Sequence, residues 1–203
     1  MKIIERYVPQ TRDDLNRFII VTGVSGSGKD YLLDKSVRQG VLPSGLHVVN
    51  FGMELFEELR VRNPQLRTRD DIKTQLTQGD VRQGVVHLVD RLIDQQPAVI
   101  NVHVVFRQNE SLVLNPDSDR RLRPGHYLFV WSDPERIQRW RAVDSSRDRQ
   151  SEDLDEIALH QNIALSVVST MAKHFGASFT AIHNREDNTT RNIDVIRQRV
   201  KEL

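Results

Sequence analysis

Residues 18–35 read Phe18-Ile19-Ile20-Val21-Thr22-Gly23-Val24-Ser25-Gly26-Ser27-Gly28-Lys29-Asp30-Tyr31-Leu32-Leu33-Asp34-Lys35. The opening run of four large apolar residues predicts a buried strand, and Tyr31-Leu32-Leu33 begins a helical pattern. Between them Gly23, Gly28 and Lys29 set the spacing Gly-x4-Gly-Lys, which in a strand-to-helix turn is a P-loop. Glycines let successive backbone N–H groups turn inward around a polyphosphate, and the helix N-terminus and Lys29 add positive potential there. Gly23, Val24, Ser25, Gly26, Ser27, Gly28, Lys29, Asp30 and Tyr31 are therefore the predicted phosphate-binding stretch. One position departs from the motif: Asp30 stands where a Ser or Thr is expected.

Outward from this loop, five apolar runs alternate with helical patterns: 17–22, Leu46–Asn50, Ala98–Val105, His126–Trp131 and Ser178–His183. Strands separated by helices predict an α/β fold with a parallel sheet covered by helices. The helical patterns span 52–62, 81–94 and 153–175, where apolar residues recur every three or four positions, as in Val81, Val85, Leu88, Val89 and Leu92. Asp133-Pro134-Glu135 predicts a helix start with Pro in the first turn, and Gly176 predicts the end of the helix from 153. The stretch Gln108–Gly125, with Asn115-Pro116-Asp117-Ser118-Asp119, predicts a polar loop over the carboxyl edge of the sheet. Residues 1–16 are assigned as an N-terminal extension and 17–203 as one domain, the size that 203 residues suit.

Composition narrows the function classes. The net charge is +1, from 29 basic and 28 acidic side chains with no long block of either sign, so no nucleic-acid or membrane-surface partner is expected. Arginine supplies 23 of the basic residues, which suits bidentate phosphate contacts or reflects compositional bias. The absence of cysteine removes disulfides, thiolate metal sites and thiol nucleophiles. Met1–Arg6 lacks the apolar core of a signal peptide, and no apolar run reaches membrane-spanning length, so a cytoplasmic protein is expected.

Downstream of the P-loop, several segments stand in a fixed order: Val48-Val49-Asn50-Phe51-Gly52, Arg69-Asp70-Asp71-Ile72, Asp144-x-x-Arg147-x-Arg149, His160-Gln161 and Asn184-x-Glu186. Together with the P-loop, this collinear set resembles the archaeal-type adenylate kinases, which are P-loop nucleoside monophosphate kinases, over roughly residues 17–203. The resemblance implies the three-layer P-loop fold, a five-stranded parallel sheet with a short lid (approximately 141–152) and a monophosphate-binding insert. It also implies ATP and Mg²⁺ as cofactors, a nucleotide or other small acceptor as partner, and AMP as the first acceptor. Archaeal adenylate kinases are trimers, so a homo-oligomer stays open. Lys29, Arg141, Arg147 and Arg149 become the expected catalytic cations, because phosphoryl transfer needs positive charge around developing oxyanions. Asn184 joins the ATP-binding set, while Phe51, Gly52, Arg69 and His103 form the expected acceptor side. For Arg147 and Arg149 the other reading is a solvated turn paired with Asp144 and Asp148. For Phe51 it is a core aromatic. His160-Gln161 is either a lid-hinge contact or a polar helix face.

Three positions depart from the archaeal pattern. The acid of its Asp-Thr-His is here Asn101-Val102-His103, the Arg following His-Gln is Leu165, and the acceptor loop has become the polar segment 108–125. A carboxylate is thus lost at 101 and gained at 30, which leaves Asp30 as the expected metal ligand or, alternatively, as a cap of the P-loop helix. The reading is an ATP-dependent phosphotransferase, with a nucleotide-binding regulatory protein or weak ATPase as the alternative.

Overall fold

The computed structural model describes residues 16–43, 45–69, 71–95, 98–108, 111–114, 121–143 and 152–203. Fifteen residues of the proposed N-terminal extension, 1–15, and Arg147 and Arg149 of the proposed lid lie outside them. Strands β1 (Asn16–Thr22), β2 (His47–Asn50), β3 (Ala98–Asn101), β6 (Pro124–Trp131) and β7 (Ser178–His183) form one parallel sheet in the order β2-β3-β1-β6-β7. Two short strands, β4 (Val105–Gln108) and β5 (Ser111–Leu114), pair antiparallel outside it. The helices are α1 (Lys29–Arg38), α2 (Phe51–Arg62), α3 (Asp71–Gln75), α4 (Gln78–Asp94), α5 (Pro134–Val143), α6 (Leu154–Phe175) and α7 (Thr189–Val200).

The period-two alternation of strand side chains sorts the central residues into two cores. Phe18, Ile20, Ile100, Tyr127 and Phe129 face one side and pack with Leu88 and Val89 of α4 and Ala164 and Val168 of α6. Ile19, Val21, Val99, Leu128 and Val130 face the other and pack with Leu32 and Leu33 of α1 and Ile196 and Val200 of α7. That double burial is why these strands read as unbroken apolar runs rather than alternating ones. It also gives the expected three layers.

Gly176 closes α6 in the left-handed region at φ 68°, and the Ala177 amide reaches the Ala172 carbonyl at 2.8 Å. A Cβ at Gly176 would meet no atom within 4 Å, so only backbone strain opposes a side chain there. Gly176→Ala is therefore expected to cost about 1 kcal/mol of stability in urea denaturation, with unchanged nucleotide binding.

Two expectations are corrected. The strand expected over Ala98–Val105 ends at Asn101: the Val102 amide still bonds the Val21 carbonyl (3.1 Å), but the Val104 amide turns to the Thr22 hydroxyl (3.3 Å). Val102 and Val104 are buried in the core as a connection to β4, and an apolar run does not separate that case from a strand. The polar loop expected over 108–125 is in its first part a hairpin, with Phe106 opposite Val113 and Leu112 packed on the core. At its other end Pro124 and Gly125 already belong to β6.

Candidate functional site

The carboxyl ends of β1, β2 and β3 carry the site, because parallel strands bring all their following turns to one edge of the sheet. The P-loop leaves β1 at Thr22 and ends in α1, whose first residue is Lys29. Gly28 has φ 85°, and a Cβ on it would collide with the Asn184 amide and approach the Trp140 ring to 3.1 Å. The glycine is thus required by its positive φ and by protein packing behind the loop. Asn184, after β7, is buried, and its Nδ2 donates to the Ser27 carbonyl at 2.9 Å. It supports the loop from outside. Among the described residues Ser27 Oγ and Asn184 Oδ1 are buried without hydrogen-bond partners, a cost of about 1–3 kcal/mol for each such group.

Lys29 is 3% exposed, and its Nζ donates to the carbonyls of Gly23 and Val24, each at 3.0 Å. The ring of His103 joins it, Nδ1 donating to the same Gly23 carbonyl at 2.9 Å. Arg141 of α5 reaches the other side of the loop: its Nε donates to the Ser25 carbonyl at 2.9 Å and its Nη1 to Glu152 Oε2 at 2.8 Å. Both members of that ion pair are nearly buried. Three of the expected site cations or donors therefore converge on the loop backbone. Tyr31 does not join them, since half of it is exposed and its hydroxyl accepts from Lys35 Nζ at 3.1 Å.

Asp30 lies exposed in the first turn of α1, where a carboxylate also favours the helix dipole. Its Oδ1 accepts from two side-chain amides, Asn50 Nδ2 at 3.3 Å and Asn101 Nδ2 at a shorter distance. Asn50 ends β2 and Asn101 ends β3, directly opposite each other in the parallel register. Asn50 also caps α2, its Oδ1 accepting from the Met53 amide at 3.3 Å.

Of the expected acceptor residues, Gly52 and Arg69 meet at the start of α2, whereas His103 lies on the P-loop. Gly52 lies in its first turn, and a Cβ there would be 3.8 Å from Arg69 Nη1. The turn carrying Arg69 is held by Asp71, whose carboxylate accepts from the amides of Thr68 and Arg67, each at 2.7 Å. Those bonds, that to Thr68 first, hold its pKa below the usual carboxylate range. Phe51 is 3% exposed in the larger core, which matches its reading as a core aromatic. His160 and Gln161 are buried rather than a solvated polar face. Gln161 binds Ser132 at the end of β6, accepting from its amide at 3.0 Å and donating to its carbonyl at 2.9 Å.

Beside the loop, a cleft of about 530 Å³ opens between α5 and the turn after β7, lined by Arg136, Arg139, Arg185 and Glu186 among others. Arg136 lies 4.4 Å from the Trp140 ring centroid. On the cleft's rim, Asp133 accepts from His183 Nε2 at 3.1 Å and pairs with Arg185 at 3.3 Å. Partial burial works to raise the Asp133 pKa, but Arg185 and His183 outweigh it and hold the carboxyl below its ordinary value. Sequence reasoning missed Asn50, Trp140 and Glu152 as parts of this site. Asn50 lay within a quoted motif, whereas nothing local marks Glu152 as the partner of Arg141.

A family model described as an AAA domain matches residues 22–158, more than half of the chain. The chain belongs to that family. It is similar to the adenylate kinase of Thermococcus kodakarensis, 25% identical over 173 residues that cover 83% of this chain and 87% of that protein. It is likewise similar to the adenylate kinase of Thermoplasma volcanium, 26% identical over 186 residues covering 90% and 98%. Among solved structures it is similar in fold to a shikimate kinase from Bacteroides thetaiotaomicron (TM-score 0.55, 14% identity, covering 92% and 98%). A shikimate kinase from Acinetobacter baumannii in complex with shikimate gives a TM-score of 0.57 at 12% identity, covering 93% and 94%. The resemblance to archaeal adenylate kinases and the P-loop kinase fold both hold. Among the described residues no helix is long and apolar enough to cross a membrane.

Proposed function

We propose that this protein transfers the γ-phosphoryl group of ATP to a nucleoside monophosphate or a similar small acceptor, with AMP the first candidate. The observation that carries the reading is the meeting of two anion-binding elements at one sheet edge. The P-loop with Lys29 is one; the N-terminus of α2 with Arg69 is the other, and Asn50 joins them through Asp30. Phosphoryl transfer is catalysed chiefly by positioning and charge, so donor and acceptor phosphates held side by side are what the reaction needs. Lys29 would exchange its loop carbonyls for donor phosphate oxygens. Arg141, already on the Ser25 carbonyl, holds the loop's shape, and the buried Ser27 hydroxyl is a donor that a phosphate oxygen would satisfy. We assign Arg147 and Arg149 to the transferring phosphoryl group, and Asn184 to support of the loop under the donor.

The residues present fit a magnesium ion. The described residues contain no cluster of three or more acidic or histidine ligands, but Mg²⁺ commonly takes one or two carboxylates beside substrate phosphates. Asp30 is the carboxylate at the loop, held by Asn101 and Asn50 and exposed on the helix's first turn. When bound, the ion neutralises charge on the donor phosphates. The contact between Asp30 and Asn101 supports an exchange in which the carboxylate moved from the strand end to the loop. Asp30→Ala is then expected to weaken Mg²⁺-dependent ATP binding more than metal-free binding, measured by calorimetry, and Asp30→Thr with Asn101→Asp to recover much of it. Equal losses with and without Mg²⁺ would leave Asp30 a first-turn acid that favours the helix dipole without holding a metal.

The function itself is tested by coupled ADP release against a panel of nucleoside monophosphates. Turnover that depends on one of them is the expected result; release indifferent to all of them is that of a weak ATPase or regulatory nucleotide binder.

A further inference from the structure

We infer that Asn50 is a positioning residue that couples the metal carboxylate to the acceptor helix. It does so through its single side-chain amide, which bridges Asp30 and the first turn of α2. The inference rests on the metal reading of Asp30 given above and adds a residue and a linkage to it.

The amide's two ends are committed to different elements. Nδ2 donates to Asp30 Oδ1 at 3.3 Å, and Oδ1 accepts from the Met53 amide at 3.3 Å. Asn50 sits at φ −88° and ψ 97°, the extended conformation of an N-cap, so its side chain is directed over the start of α2 whether or not Asp30 is present. For capping alone, Ser, Thr or Asp would serve as well as Asn. None of them does both tasks. A Ser or Thr hydroxyl carries donor and acceptor on one oxygen, one bond short of the 3.3 Å reach of Asn50 Nδ2 to Asp30, and Asp would set a second carboxylate against Asp30. Asn101, opposite Asn50 in the register, donates to the same oxygen from the β3 side. Asp30 Oδ1 is therefore fixed from two adjacent strand ends, and a metal bound at Asp30 would draw on that carboxylate and, through Asn50, bias the cap of the helix that presents Gly52 beside Arg69. Coupling of this kind is reciprocal, so whatever tightens the start of α2 also steadies the carboxylate.

The decisive substitution is Asn50→Ser, which keeps a cap oxygen for Met53 and removes the Nδ2 that reaches Asp30, leaving a hydroxyl one bond shorter. The affinity of the full-length protein for AMP-PNP is measured by calorimetry with Mg²⁺ and with EDTA, alongside the resonance of the Met53 amide proton. In the parent, Mg²⁺ is expected to raise AMP-PNP affinity and to shift the Met53 amide. In Asn50→Ser the Mg²⁺ enhancement is expected to fall about 10-fold, as for other residues that orient a metal ligand. Its metal-free affinity and melting temperature are expected to stay close to the parent's, and its Met53 amide to lose the Mg²⁺ response. Asn50→Ala, which loses cap and donor together, is expected to show the same metal defect with a lower melting temperature. An Asn50→Ser protein whose Mg²⁺ enhancement matches the parent's would overturn the inference and leave Asn50 a helix cap. A parent whose AMP-PNP affinity ignores Mg²⁺ would overturn the metal reading of Asp30, and the coupling with it. The two failures are distinguished by the parent titration alone.

Discussion

Lys29→Ala is expected to lower acceptor-dependent turnover by roughly a hundredfold to a thousandfold, the loss seen when one well-placed electrostatic contact to a transition state is removed. The ammonium is almost fully buried, 3% exposed, and lies on the carbonyls of Gly23 and Val24 at the root of the loop. A ligand phosphate would bring anionic acceptors to the same ammonium in place of neutral carbonyls, adding charge–charge attraction in a buried site. Removing it takes away charge where the donor's β- and γ-phosphates are expected. His103 continues to donate to the Gly23 carbonyl, and the loop keeps its own Ser27-to-Val24 backbone bond. Most of the effect therefore falls on nucleotide binding and turnover, and little on the fold. Steady-state assays with AMP-PNP calorimetry check it, and a folded Lys29→Ala protein with parental affinity and turnover would remove the P-loop from the mechanism.

Glu152→Ala is expected to destabilise the protein by about 3 kcal/mol, far more than loss of a surface ion pair, because it strands a buried guanidinium. Arg141 and Glu152 are 10% and 7% exposed at the side chain, so Arg141 would keep the Ser25 carbonyl but lose its counter-charge. Exposed pairs such as Arg38–Asp34, at 77% and 54%, carry no comparable penalty, and Asp34→Ala is the control. Because Arg141 touches the P-loop, the same variant is expected to weaken nucleotide binding, whereas Glu152→Gln, which keeps an acceptor oxygen, is expected to be milder on both measures. Urea denaturation with nucleotide titration makes the comparison. A Glu152→Ala protein as stable as the Asp34→Ala control would mean that water reaches Arg141.

The features legible in the sequence are those written in short stretches of chain. Apolar runs marked the central strands most plainly because a strand between two helical layers has no solvent face, as the burial of Phe18–Val21 and Tyr127–Val130 shows, whereas the edge strands β2 and β7 keep exposed positions. Pro134 and Gly176 marked helix ends because their backbone preferences act locally. The P-loop followed from the same logic, since its glycines and Lys29 act within eight residues. The same local logic failed at Ala98–Val105 and at 108–125. Burial makes a connection such as Val102–Val104 as apolar as a strand, and a polar stretch can still pair when Leu112 packs on the core.

Contacts between distant residues were decided by the tertiary structure alone. Asp30 is 20 residues from Asn50 and 71 from Asn101, and the three meet because the sheet order places β3 between β1 and β2 in a register that sets Asn50 opposite Asn101. Ser27 meets Asn184 across 157 residues because β6 lies between β1 and β7, bringing the turn after β7 against the P-loop. A lone asparagine or glutamate carries no periodicity to announce its partner. Sequence by itself could determine the phosphate-binding loop, the layered α/β frame and the class of chemistry. What holds the Asp30 carboxylate, and how the loop is braced by Arg141, Glu152 and Asn184, depend on strand order and register, properties of the whole sheet.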